Sequence, residues 1–159
     1  MLRESDGLFR RIVEETAKEY PDILYEQYIV DDFARRLVAS PLEFDVVVMP
    51  NLYGDILSDV AAGTMGGLGL APSGCYGQNY AYFESVHGSA PDIAWRNIIN
   101  PTATLLSAVL MLDYLDYEDA AAQLDRAISR VYADGRPVTP DQGGSSSTIE
   151  FCAAVQNYL

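Results

Sequence analysis

The sequence predicts an α/β fold, and three observations carry that expectation. Phe44-Asp45-Val46-Val47-Val48-Met49 is a β-branched run with the composition of a buried strand. Segments with apolar residues every three or four positions lie on both sides of it, as amphipathic helices require. No internal repeat or low-complexity tract breaks the alternation.

In chain order, Ser5 to Tyr20 predicts an amphipathic helix with Leu8, Ile12, Val13 and Ala17 on one stripe, stopped by Pro21. Ile23 to Ile29 alternates enough to predict a strand. Asp31 to Ala39 returns to helical spacing through Phe33, Leu37 and Val38. The Phe44–Met49 strand ends at Pro50, and a helix carrying Ile56, Leu57, Val60 and Ala61 follows. Six glycines between Gly63 and Gly77 predict backbone that turns tightly or approaches something closely. Tyr80 to Phe83 reads as a short aromatic strand. Thr102 to Leu115 is a nearly all-apolar helix and is expected to be buried. Glu118 to Val131 predicts an amphipathic helix, Gly143 to Ser147 a flexible loop, and Thr148 to Tyr158 the last helix.

At 159 residues the chain can bury a sizeable core, and 49% hydrophobic residues exclude disorder. The net charge of −13, from 23 acidic and 10 basic residues, argues against a nucleic-acid partner, which needs a basic footprint. No apolar run approaches the roughly 20 residues that span a bilayer, so no membrane partner is expected. The opening Met1-Leu2-Arg3-Glu4-Ser5-Asp6 does not read as a signal peptide, and the two cysteines, Cys75 and Cys152, read as reduced core thiols. A cytoplasmic protein is the expectation.

Two stretches carry chemistry. In Asn51-Leu-Tyr-Gly-Asp-Ile-Leu-Ser-Asp59, Asp55 and Asp59 stand four residues apart and share one helix face. They suit Mg²⁺ or Mn²⁺, which prefer carboxylate oxygens; equally, two acids near a helix start favour the helix dipole. The second stretch is Glu84-Ser-Val-His-Gly-Ser-Ala-Pro-Asp-Ile-Ala94, then Asn100-Pro101. It offers a histidine, hydroxyls, amides and an acid on a loop after a strand. An acid there can accept hydrogen bonds from ribose hydroxyls and repel a 2′-phosphate. His87 can equally be a hydrogen-bonded structural histidine, and Asp92 a helix cap. No GxGxxG fingerprint is present.

Taken together with Gly66-Gly-Leu-Gly-Leu-Ala-Pro-Ser73, Val30-Asp31-Asp32 and Asp141-Gln142-Gly143-Gly144, these stretches closely resemble the isocitrate/isopropylmalate dehydrogenase family of metal-dependent, β-decarboxylating dehydrogenases. The resemblance runs from Met1 to Leu159. It implies the family's three-layer α/β fold, present only as its C-terminal half, with residues 1–65 in the small dimerisation domain and 66–159 in the large cofactor-binding domain. It implies that Asp55 and Asp59 face Mg²⁺ or Mn²⁺, with Asp31 completing the site from a partner subunit of a homo-oligomer. Glu84, His87, Gly88, Ser89, Ala90, Asp92, Ile93 and Asn100 match positions around the nicotinamide cofactor, and the Asp92-Ile93 pair matches NAD-using members. The family's catalytic lysine and tyrosine belong to the part that precedes the position of Met1, so no catalytic residue is assigned.

The implied reaction is NAD-dependent oxidative decarboxylation of a small 2-hydroxyacid. Hydride passes to nicotinamide, and the metal stabilises the enolate formed as CO₂ departs. Ser85 and Pro72-Ser73-Gly74 resemble the NAD-dependent isocitrate branch, with 3-isopropylmalate or homoisocitrate as alternative substrates. One departure stands out: Trp95-Arg96 occupies the place where the family usually has glycine and lysine. That departure and the half-length resemblance also fit a non-catalytic subunit that pairs with a full-length relative.

Overall fold

The computed structural model describes residues 3–159; Met1 and Leu2, at the head of the opening stretch, lie outside the described residues. The chain divides into two compact units, Met1–Ala61 and Ala62–Leu159.

The first unit is helical. Helix α1, Ser5–Ala17, ends three residues before the expected Tyr20, because the chain tightens into i→i+3 bonds ahead of Pro21: Glu19 N donates to Thr16 O at 2.9 Å and Tyr20 N to Ala17 O at 3.1 Å. Helix α2, Val30–Ala39, starts with Asp31 and Asp32 in its first turn, where carboxylates complement the dipole. Asp32 also receives Arg35 at 2.7 Å and Arg36 at 3.0 Å. The bond from Arg35 leads, and with help from Arg36 it outweighs desolvation to hold the Asp32 carboxyl below its usual value. Phe33, the buried residue of α2, packs against Phe44 and Tyr28 with ring centroids 4.9 and 6.4 Å apart.

Neither strand expected in this unit forms. Residues 23–29 and 44–49 are extended or bent and unpaired, with Leu24 86% and Val46 90% exposed. An apolar extended run becomes a strand only when a neighbour completes its ladder. Among the described residues the single ladder lies in the other unit. Helix α3, Asn51–Met65, follows Pro50 as expected.

The second unit pairs two strands, packs a helix on them and adds two more helices. Strand β1, Pro72–Tyr76, arises inside the glycine-rich segment that predicted tight turns or close backbone approach and no strand. It pairs antiparallel with β2, Ala81–Ser85, in a register running from Pro72↔Ser85 to Tyr76↔Ala81. The Tyr76 ring lies over Gly74, where a Cβ would come within 2.7 Å of its hydroxyl and shift the ring. Tyr76, Phe83 and Tyr114 form an aromatic trio with centroids 5.6–5.8 Å apart. Helix α4, Thr102–Tyr114, packs on both strands, and its Ser107 hydroxyl donates to Glu84 O at 2.6 Å.

The expected burial of α4 holds for one stripe only. Thr102, Ala103 and Ser107 are buried, whereas Met111, Tyr114 and Leu115 at its far end are exposed, with Tyr114 only partly covered by Tyr76 and Phe83. Helix α5, Glu118–Asp134, runs almost a turn beyond the expected Val131 and stops at Gly135, whose φ of +70° suits a helix C-terminus. Helix α6, Thr148–Gln156, starts with a capping box: Glu150 N donates to Ser147 Oγ at 3.3 Å and Ser147 N to Glu150 Oε2 at 2.7 Å. The core joins Ala127, Ile128 and Val131 to Phe151 and Val155, with Leu105, Leu106 and Val109 of α4 against them.

The 143–147 loop, expected to be flexible, is tied down. Gly144 N donates to Thr139 O at 3.1 Å and Ser146 N to Val138 O at 3.0 Å. A Cβ on Gly144 would sit 2.0 Å from the Val138 carbonyl oxygen, so this close approach requires glycine. Both cysteines are free, but neither is a core thiol. Cys75 is exposed on β1 and Cys152 is half-buried, with burial pushing its thiol up.

Candidate active site

Helix α3 puts Asp55 and Asp59 on one exposed face, while Leu57, 6% exposed, turns inward. Asp55 accepts from Asn51 Nδ2 at 3.0 Å, which orients one carboxylate oxygen and leaves the other toward solvent. Asp31, on the first turn of α2, is exposed and accepts its neighbour's backbone N–H at 2.9 Å. Among the described residues no three acids, histidines or cysteines converge into a metal cage. The fit to a divalent cation is therefore that of half a site: two hard oxygen donors one turn apart, needing further donors from elsewhere.

The loop after β2 is built from short, tied turns. Val86 N reaches back to Ala71 O at 3.3 Å. His87 lies with Nδ1 3.0 Å from Gly88 O. For that contact to be a hydrogen bond Nδ1 must carry a proton, and in the neutral ring Nε2 is then an acceptor. Nε2 is buried and without a partner. An orphaned buried acceptor in a loop is a place where a ligand N–H or O–H would be welcomed, and this is the observation by which the loop fits a cofactor. Ala90 holds φ +41°, ψ +61°, an uncommon conformation for a non-glycine residue, and leads into a 3-10 turn at Pro91–Ile93. Asp92 is exposed on that turn.

Trp95 follows with φ +65° and a fully exposed side chain, at 101% of its reference area. The left-handed backbone gives the physical reason for glycine at such a position, because a Cβ there costs about 1–2 kcal/mol. Trp95→Gly should therefore stabilise the chain by roughly 0.5–1 kcal/mol, strain relief less the added chain entropy. A urea midpoint raised at unchanged slope checks it. Beyond Trp95 the loop is pinned to α6: Thr148 N donates to Asn97 O at 3.0 Å and Ile149 N to Asn97 Oδ1 at 3.2 Å.

Asn100, 4% exposed, faces inward with its carboxamide fully engaged. Its Nδ2 donates to Asp141 Oδ2 at 2.9 Å and Tyr132 Oη at 3.1 Å, and its Oδ1 accepts from Thr102 N at 3.0 Å. Asp141 also accepts from Thr139 Oγ1 at 2.6 Å and Gln142 Nε2 at 3.0 Å, and Gln142 Nε2 lies 2.9 Å from Gly66 O. A Cβ on Gly69 would come within 3.1 Å of Asn100 Cβ and 3.2 Å of Asp141 Oδ2, so the glycine turn backs directly onto this network. Burial alone would raise the Asp141 carboxyl. Hydrogen bonds from Thr139, Asn100, Gln142 and its own backbone N–H outweigh that and hold it below the usual value. Its contribution to stability is then present above the ordinary carboxylate pKa of about 3.9 and fades as pH falls through the lowered folded value.

Sequence reasoning missed Tyr132, Thr102 and Thr139 as members of this network. Tyr132 carries no distinguishing signal, because it sits on an amphipathic helix as any core aromatic would.

Comparison with known proteins supplies what geometry cannot. The sequence model of the isocitrate/isopropylmalate dehydrogenase family matches residues 1–155. The chain is 49% identical over 160 residues to the mitochondrial isocitrate dehydrogenase [NAD] catalytic subunit 5 of Arabidopsis thaliana, across 100% of the chain and 43% of that protein. It is 52% identical over 155 residues to the 3-isopropylmalate/3-methylmalate dehydrogenase of Methanocaldococcus jannaschii, across 98% of the chain and 46% of the relative. Its fold superposes on the crystal structure of isocitrate dehydrogenase from Methylococcus capsulatus with a TM-score of 0.95 and 46% identity, over 99% of this chain and 47% of that one. The chain thus spans somewhat less than half the length of these relatives.

Proposed function

Because the chain belongs to the isocitrate/isopropylmalate dehydrogenase family, we propose that it serves as the C-terminal half of an NAD-dependent, Mg²⁺- or Mn²⁺-dependent dehydrogenase that oxidatively decarboxylates a 2-hydroxyacid, isocitrate first among them. The observation that carries this reading is the 84–100 loop with its unpartnered His87 Nε2. The bound groups would supply a hydride acceptor and a Lewis acid; this chain's residues bind and orient. His87 Nε2 would accept a hydrogen bond from the cofactor. Glu84, Gly88, Ser89, Ala90, Ile93 and Asn100 would shape its seat. Asp92 would accept from ribose hydroxyls and repel a 2′-phosphate.

Asp55 and Asp59 would hold the cation, and Asp31 would complete a partner's site in a homo-oligomer. Residues 1–65 would then belong to the small dimerisation domain and 66–159 to the large one. The preference for isocitrate over 3-isopropylmalate or homoisocitrate rests on Ser85 and Pro72-Ser73-Gly74. Two of those positions, Pro72 and Ser85, are direct cross-strand partners.

The test is titration calorimetry of NAD and NADP into the chain complemented by the N-terminal half of the Methylococcus capsulatus enzyme. NAD is expected to bind at least tenfold more tightly, about 1.4 kcal/mol, and Asp92→Ala to narrow the gap. Equal affinities unaffected by Asp92→Ala would contradict the reading.

Trp95 favours one second reading, a subunit without turnover that pairs with a full-length relative, since the bulkiest side chain stands where the family keeps glycine. Size exclusion of the chain mixed with such a relative decides it: co-elution without NADH production from the chain's own site supports this reading, and a chain that ignores the relative removes it.

A further inference from the structure

Asn100 is set by its neighbours rather than by solvent. A carboxylate only accepts, so Asp141 forces the amide nitrogen of Asn100 toward itself and the amide oxygen toward Thr102 N, the first residue of α4. Asp141 is itself held by Thr139, whose residue is fully buried, and by Gln142, which also grips the Gly66 carbonyl. The carboxamide of Asn100 has no polar group left for a ligand, so what Asn100 can offer is its backbone, and Asp141 fixes where that backbone lies.

We propose that Asp141 is a positioning residue for the cofactor loop, acting through the Asn100 carboxamide. The inference rests on the reading of residues 84–100 as the cofactor loop. It adds a residue outside that loop, 41 positions downstream of Asn100, which controls the loop's C-terminal end without touching the ligand. Without Asp141 the nearly buried amide of Asn100 loses its charged acceptor and can turn over. The segment between Trp95 and Asn100, pinned to the start of α6 at Asn97 and at Ile99, whose carbonyl accepts from the Thr148 hydroxyl, then loses the anchor at its C-terminal end.

The test is hydrogen exchange in the chain without cofactor. Asp141→Ala should speed exchange across residues 93–100 by about tenfold or more, the loss of one charge-assisted hydrogen bond, while exchange around Val131 and Phe151 stays as in the parent. Asn100→Ala should give the same acceleration, and the double variant no more than either single one, because one chain of contacts is being broken. Asp141→Asn keeps one acceptor oxygen and should restore part of the protection, which also guards against a poorly folded alanine variant. Unchanged exchange in residues 93–100, or additive effects in the double variant, would overturn the proposal.

In the complemented enzyme, Asp141→Ala should weaken NAD binding by about tenfold; undiminished NAD affinity beside a loosened loop would also overturn the positioning role. A parent protein that binds no NAD refutes the cofactor reading, while the exchange results still decide whether Asp141 holds the loop.

Discussion

Asp55→Asn and Asp59→Asn should each lower metal-dependent turnover by about a thousandfold in the chain complemented with a relative's N-terminal half, because a bound divalent ion contributes several kcal/mol of charge stabilisation at 1.36 kcal/mol per decade. Neutral amides keep the size and the helix but lose the charge that a hard cation seeks. Both positions are exposed on α3, so the fold should survive with its melting temperature nearly unchanged. That separates loss of a ligand from loss of structure. Added Mn²⁺ should rescue part of the Asp59→Asn defect. Wild-type turnover in both variants would remove these residues from the metal site.

Phe151→Ala should have the largest effect on stability. The ring is fully buried between α5 and α6, and its centroid lies 5.4 Å from that of Tyr132. Truncating a buried phenylalanine costs about 3–5 kcal/mol through lost transfer energy and the cavity left behind. For a protein of this size the melting temperature should fall by roughly 10 °C or more. The damage should spread to function, since Tyr132 is also the partner of Asn100 and Thr102. Differential scanning calorimetry checks the first effect, and hydrogen exchange at residues 97–102 the second.

What was legible in the sequence follows from range. Helices α1 to α6 were all visible because helix signals are local, and the α/β class followed from alternation. Asp55 and Asp59 were visible as a pair for the same reason. β1 was hidden because Gly74 and Gly77 mask a strand that owes its existence to Phe83 and Ser107 across the fold. Residues 23–29 and 44–49 show the opposite error. Their composition is that of strands, yet a strand also needs a partner, and none of the described segments supplies one.

The site divides along the same line. His87 and Asp92 were readable as loop chemistry, but the orphaned state of His87 Nε2 is a property of packing. The role of Asn100 depended on Tyr132 and Asp141, 32 and 41 residues away, and no local pattern announces such a contact. Its motif membership pointed to the cofactor, while its side chain turns to the interior.

NADH formation, followed by absorbance, decides whether the chain complemented by the N-terminal half of the Methylococcus capsulatus enzyme turns over isocitrate in the presence of NAD and Mn²⁺. NADH and CO₂ should form in equal amounts, dependent on Mn²⁺, faster with isocitrate than with 3-isopropylmalate, and about a thousandfold more slowly in Asp55→Asn. A folded, complemented protein that makes no NADH from isocitrate, 3-isopropylmalate or homoisocitrate would contradict the proposed function.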